Sequence, residues 1–206
     1  ISVKKKAIAC FEEFGNGNLD ASIETFPGKK IFINNAIENV RGKIKLLVSD
    51  TAMLATAAVE GKLDVRADLS KHKGDYRKIV EGINNTLDNV IGPLNVAADY
   101  VEKISKGDIP DRITAEYKGN FNGIKQSLNG LIDNLSSFII EMENFNEKHV
   151  AGDFDYHFDT SKFVGAYRMM GNGVDKAVHF YVKTIADILE VVGEYGDGKF
   201  DKVLRP

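Results

Sequence analysis

The chain has 206 residues, 28% of them charged, and the charges nearly cancel to leave a net −3. That balance offers no electrostatic case for nucleic acid or an anionic membrane surface as partner. A single cysteine excludes an intrachain disulfide framework and suits a reducing compartment, and no apolar run approaches the roughly 20 residues of a membrane-spanning helix.

In chain order, a short apolar helix holding Cys10, Phe11 and Phe14 leads to the first landmark, Gly17-Asn18-Leu19-Asp20. The same signature returns at Gly61-Lys62-Leu63-Asp64, Gly107-Asp108-Ile109-Pro110, Gly152-Asp153-Phe154-Asp155 and Gly198-Lys199-Phe200-Asp201. The five glycines lie 44, 46, 45 and 46 residues apart. A period so steady marks one supersecondary unit copied in tandem. A unit of that size is near the lower limit for a self-sufficient core, so each copy needs its neighbours or a second chain. The expected divisions are 1–47, 48–92, 93–137 and 138–183, with 184–206 the start of a fifth copy. No signal peptide is visible, and the start at Ile1 and the stop soon after the fifth glycine suggest a piece of a longer protein.

Between the glycines the apolar residues step by four and three. The first such run is Ile33, Ile37, Val40, Ile44, Leu47, Thr51, Leu54 and Ala58, with one polar member. Ile83, Leu87, Val90, Leu94, Ala97, Val101 and Ile104 follow. Then come Ile124, Leu128, Leu131, Leu135, Phe138, Met142 and Phe145, and finally Val174, Val178, Tyr181, Ile185, Ile188, Val192 and Tyr195. A 3.5-residue average is the coiled-coil signature rather than that of a helix lying on a globule. Around each glycine the heptad is lost for about 12 residues, long for a helix–helix turn. A connector of that length can run extended for most of a helix at roughly 3.3 Å per residue, so the flanking helices can lie parallel. Its opening glycine suits a helix C-terminus. Each connector carries two apolar anchors that can dock it on a bundle: Leu19 with Ile23, Leu63 with Leu69, Ile109 with Ile113, Phe154 with Phe158.

Each unit therefore reads as helix, anchored connector, parallel helix, with the second helix of one unit continuing into the first of the next. Two parallel helices cannot bury both apolar seams by themselves; two copies can. The expected fold is all-α: tandem parallel four-helix bundles formed by a homodimer and joined by continuous coiled-coil helices into an elongated rod. The expected dimer core is Ile37, Ile83, Leu87, Val90, Leu94, Ile124, Leu128, Leu131, Leu135, Val178 and Tyr181.

The third unit carries a family resemblance. Ile91-Gly92-Pro93-Leu94, then Gly107-Asp108-Ile109, then Glu116-Tyr117-Lys118-Gly119-Asn120-Phe121-Asn122-Gly123-Ile124-Lys125 and Leu128-Asn129 resemble the first-helix start, connector opening and second-helix entry of the HAMP linker. That module relays signals in bacterial chemoreceptors and sensor kinases. The second unit, with Gly61-Lys62-Leu63-Asp64 and Asp75, is nearly as similar, and the first and fourth are more divergent. The acidic pair that often opens the family's second helix is not kept, since Asp75 is followed by Tyr76. The resemblance implies a two-state relay, with adjacent modules tending to oppose each other. It also implies an upstream sensor and a downstream output domain in the same longer chain, a cytoplasmic location (such as the cytoplasmic part of a membrane-anchored receptor), and no cofactor, metal or direct small-molecule ligand. The output would be a chemotaxis-signalling domain or, alternatively, that of a sensor histidine kinase.

Other readings are weaker. HEAT-type solenoids share a period of roughly 40–47 residues but need two turns per repeat, and here one breaker zone recurs. Pro93, inside a heptad run, is the one candidate second break. None of His72, His149, His157 and His179 shares a helix face with another His or Cys in ligand spacing, so they read as surface or interface residues. Gly15-Asn16-Gly17 and Gly196-Asp197-Gly198 lack the strand and Lys-Ser/Thr of a phosphate loop. Asn84-Asn85-Thr86 and Asn134-Leu135-Ser136 match glycosylation sequons by chance within helices. Cys10 and Met169-Met170 suit core packing. No catalytic constellation emerges, and the chain is not expected to be an enzyme.

Overall fold

The computed structural model describes residues 2–201. Among the described residues the fold is all-α: α1 (Val3–Gly15), α2 (Ile31–Val59), α3 (Gly74–Ser105), α4 (Gly119–Val150) and α5 (Gly165–Gly196), without a strand. One-turn 3-10 segments at Gly28–Lys30, Leu69–Lys71 and Thr160–Lys162 precede α2, α3 and α5. The chain divides into two compact units, Ile1–Asn95 and Val96–Pro206. The helices carry the heptad runs from end to end. α3 continues through Pro93, so the proline is not a second break. A mid-helix proline removes one hydrogen bond and crowds the preceding turn, and thirty-odd residues of helix absorb that loss.

Every helix stops in the same way. Gly17, Gly61, Gly107, Gly152 and Gly198 have φ of 86°, 73°, 82°, 90° and 78°, the left-handed region where a Cβ is strained. At each, the residue after the glycine donates its N–H back to the helix: Asn18 to Glu13, Lys62 to Ala57, Asp108 to Lys103, Asp153 to Lys148 and Lys199 to Glu194, all at 2.8–3.0 Å. These are Schellman turns, which satisfy carbonyls that a helix end otherwise leaves unpaired.

After the turn the chain doubles back along the helix it has just left. In the second repeat His72 meets Asp50, while Arg66 pairs with Asp88 and Ala67 with Asn84. The end of the connector is thus level with the middle of α2, and its start is level with Asp88 of α3. α3 consequently runs parallel to the end of α2. The fourth repeat does the same, with Lys162 beside Glu141 and Phe154 and His179 beside His149. In the first, Lys6 pairs with Glu24, Cys10 with Arg41 and Asp20 with Lys45.

Each unit has its own core between helix, connector and helix. In the first, Leu54, Ala67 and Val80 are buried, with Leu47, Val65, Leu69, Ile83 and Leu87 packed against them. In the second, Phe145, Phe158 and Phe163 are buried beneath Phe138, Met142, Tyr156, Tyr167, Val174 and Val178. Ring centroids there lie 5.4 Å (Phe138–Phe158), 5.5 Å (Phe138–Phe163) and 5.9 Å (Phe145–Phe158) apart, in the tilted and edge-on geometries that aromatic quadrupoles favour.

Candidate functional site

A connector that runs extended beside two helices has no strand to satisfy its backbone. The structure solves this with one side chain per repeat. Asn84 of α3 accepts from the N–H of Ala67 (3.1 Å) and donates to its C=O (2.9 Å). Asn129 of α4 does the same to Ile113, at 2.7 and 3.1 Å. Asn34 of α2 accepts from Phe26 N–H (2.9 Å) and donates to Glu24 C=O (2.8 Å). A carboxamide presents a donor and an acceptor side by side, so it pairs with an extended backbone as a neighbouring strand would. Asn34, Asn84 and Asn129 are buried, so this pairing is also what makes their burial tolerable. In the fourth repeat the position belongs to Asp175, which accepts from Phe158 N–H at 2.8 Å but cannot donate.

The clamp explains which connector residues reach the core. Phe26, Ala67, Ile113 and Phe158 are buried, and all four are the residues whose N–H the clamp holds. Of the expected anchors, Ile113 and Phe158 are among these, and Leu19, Ile23, Leu69 and Ile109 are half-buried. Leu63 and Phe154 stay exposed on the single chain, two residues past the glycine and short of the clamp. In the second repeat the clamped and buried connector residue is Ala67, and in the first it is Phe26. Of the expected dimer core, Ile37 and Leu128 are buried and Ile83, Leu87, Leu131, Leu135 and Val178 half-buried within the chain. Val90, Leu94, Ile124 and Tyr181 are exposed on it.

Above the clamp, a carboxylate on the preceding helix receives the end of the connector. Asp50 Oδ2 lies 2.6 Å from Nε2 of His72, whose side chain is fully buried. Glu141, itself buried, accepts from Tyr156 Oη (3.3 Å), Asp159 N–H (3.0 Å) and Lys162 Nζ (3.1 Å). Burial and the adjacent Glu141 carboxylate push the Tyr156 hydroxyl up, and Glu141 with Asp159 holds the Lys162 ammonium above the usual lysine range. His72 is therefore a buried structural partner, not a surface residue. Two of the other three histidines, His157 and His179, come together in space at Asp175. His157 Nδ1 is 3.0 Å from its carboxylate, and His179 lies one turn along α5 from it. His149 stands beside His179 with ring centroids 5.7 Å apart.

The clamp could have been read from the sequence. An aliphatic seam residue followed by Asn or Asp stands near the start of the heptad run of each repeat, as Ile33-Asn34, Ile83-Asn84, Leu128-Asn129 and Val174-Asp175. Asn84 instead attracts attention as a sequon, although the fold buries it.

Comparison with known proteins agrees with this architecture. Residues 71–137 match the HAMP domain family, and residues 3–45 match the family described as HAMP N-terminal domain 3. Methyl-accepting chemotaxis protein McpB of Pseudomonas aeruginosa is 35% identical over 69 residues, which is 33% of this chain and 10% of that protein. No solved structure is significantly similar. The chain carries HAMP modules in tandem. HAMP modules are signal-transduction linkers, and a linker role in signal relay follows for the chain. No helix among the described residues is long and apolar enough to cross a membrane.

Proposed function

We propose that this array relays a conformational input from a sensor to a chemotaxis-signalling output domain of the same longer chain, on the cytoplasmic side of a membrane. The observation that carries this reading is helix continuity. α2, α3 and α4 each leave one connector and enter the next without a break. A rotation, shift or change of spacing at one module is then handed to the next through a rigid element, and no ligand need bind the array. The module limits we assign are 1–47, 48–92, 93–137 and 138–183, with 184–206 opening a fifth. The similarity to a methyl-accepting chemotaxis protein favours a chemotaxis output over a sensor kinase.

The working form is a parallel homodimer in which each module is a four-helix bundle, the modules together forming an elongated rod. Support comes from the heptad residues left exposed on one chain, including Val90, Leu94, Val101, Tyr181, Ile185 and Val192. Such apolar stripes mark an interface. Leu63 and Phe154 join it as connector residues facing the partner. Sedimentation of the purified chain should give a dimer; a stable compact monomer at micromolar concentration overturns the bundle.

The relay itself is tested by cross-linking. With Cys10 replaced by Ala, single cysteines along α3 and α4 of the full-length receptor should give cross-linking patterns that differ between modules and change on stimulation. Ala97→Leu, which fills a small seam position, should bias output in one direction. One identical pattern in every module, unmoved by stimulus or by Ala97→Leu, makes the array a rigid spacer.

A further inference from the structure

We propose that the fourth repeat holds a divalent transition-metal site made by His157, Asp175 and His179. One donor atom from each of the three lies within 4.8 Å of the other two. They come from two elements, the connector and α5, and Asp175 and His179 face the same way one turn apart.

Three independent features single out this cluster. The first is tautomer control. His179 Nδ1 lies 2.9 Å from the carbonyl of Asp175, which fixes its N–H there and leaves Nε2 with the lone pair. That Nε2 is buried and has no hydrogen-bond partner. A ligating histidine is oriented in this way, its second nitrogen held by a carbonyl. His149 repeats the pattern, with Nδ1 2.9 Å from the Phe145 carbonyl and Nε2 buried without a partner, and supplies a further imidazole beside the site.

The second is the Asn-to-Asp exchange. Three repeats use a neutral amide as the clamp, and an amide serves the connector better, since it makes two hydrogen bonds where Asp175 makes one. The carboxylate appears only where imidazoles face it. The third is proximity. The rings of His157 and His179 lie parallel with centroids 4.0 Å apart; their lone pairs lie in the ring planes, so both meet one ion once His157 turns out of the stack. An ion pair between His157 and Asp175 alone would leave Nε2 of His179 without a partner. A single cation satisfies all three side chains. His157 is 66% exposed and has room to turn toward it, while Asp175 and His179 are held. Two nitrogens and one carboxylate oxygen suit Zn2+, Ni2+ or Cu2+, and not Mg2+ or Ca2+, which take oxygen ligands.

The test is titration of the untagged 206-residue chain with Zn2+ against a chromophoric chelator, with Co2+ absorption as a second readout. One equivalent should bind per chain, with no competition from Mg2+ or Ca2+. Asp175→Asn installs the clamp residue of the other repeats, so the fold is kept, as circular dichroism will check. It and His179→Ala should each weaken Zn2+ by about 10–100-fold or more, the loss that even outer-shell partners cause. His72→Ala, in the second repeat, should leave binding unchanged. Absence of a bound equivalent, unaltered affinity in the folded Asp175→Asn chain, or equal weakening by His72→Ala overturns the site.

Discussion

The second and fourth repeats solve the same packing problem with opposite volumes. In the second, the clamped connector residue is the small Ala67, and Val80 of α3 fills the space above it, fully buried. In the fourth, the clamped residue is Phe158, and the position corresponding to Val80 is Gly171, buried without a side chain. A Cβ on Gly171 would stand 2.7 Å from the Phe158 ring. The sum of connector and helix side chains is roughly kept while its division is reversed. Their polar contacts differ as well: His72 on Asp50 with an amide clamp in one, Lys162 and Tyr156 on Glu141 with a carboxylate clamp in the other. One backbone plan therefore accepts more than one interior, and the repeats need not respond alike to the same strain.

The comparison breaks most sharply at the reversed pair. Phe158→Ala should cost about 3–5 kcal/mol through lost burial and a cavity. Adding Gly171→Val rebuilds the second repeat's solution and should recover part of that loss. Gly171→Val alone should overpack and cost about 1–3 kcal/mol. Hydrogen exchange resolved by repeat is the measurement, with the second repeat as internal reference. If the double variant is no better than Phe158→Ala, the two interiors are not alternative fillings of one frame.

A smaller loss is expected at the hub above the clamp. His72→Ala leaves the Asp50 carboxylate without its buried partner and should cost about 1.5–3 kcal/mol, the range for a hydrogen bond to a charged group. Denaturant unfolding that does not move would show Asp50 to be satisfied elsewhere.

Exchanging the clamps sharpens the comparison further. Asn84→Asp removes the donor to Ala67 C=O and should cost about 1–3 kcal/mol, as an unpaired buried carbonyl does. In metal-free buffer, Asp175→Asn should gain about 1 kcal/mol from the restored bond. Losses at both sites would mean that each repeat is tuned to its own clamp.

The smallest effect is on pH. Burial raises the Asp175 carboxyl, but the Phe158 N–H and the His157 and His179 rings outweigh it and leave it below the usual carboxylate range. A depressed folded value means stability that is present above the unfolded pKa of about 3.9 and lost as pH falls through the folded one. Acid titration should loosen the fourth repeat's connector while the amide clamps of the other repeats do not titrate. Equal acid sensitivity in Asp175→Asn would assign the effect to other groups.

The sequence by itself determined the all-α class, the period, the parallel course of helix, connector and helix, and the glycine that ends each helix. These are local: heptad spacing and a left-handed residue act within a few turns of the chain, so linear order reveals them. Which side chains meet across a connector is a different kind of question. Asn84 finds Ala67, Asn129 finds Ile113 and Asp175 finds Phe158 across 17, 16 and 17 residues, a separation set by where the connector folds back. Spacing could place Leu63, Phe154 and Phe158 near the bundle, but only the clamp decides that Ala67 points inward and that Leu63 and Phe154 stay outside the chain's own core. Likewise His157 and His179 share no helix, and only the reversal of the chain at Gly152 brings their rings together over Asp175.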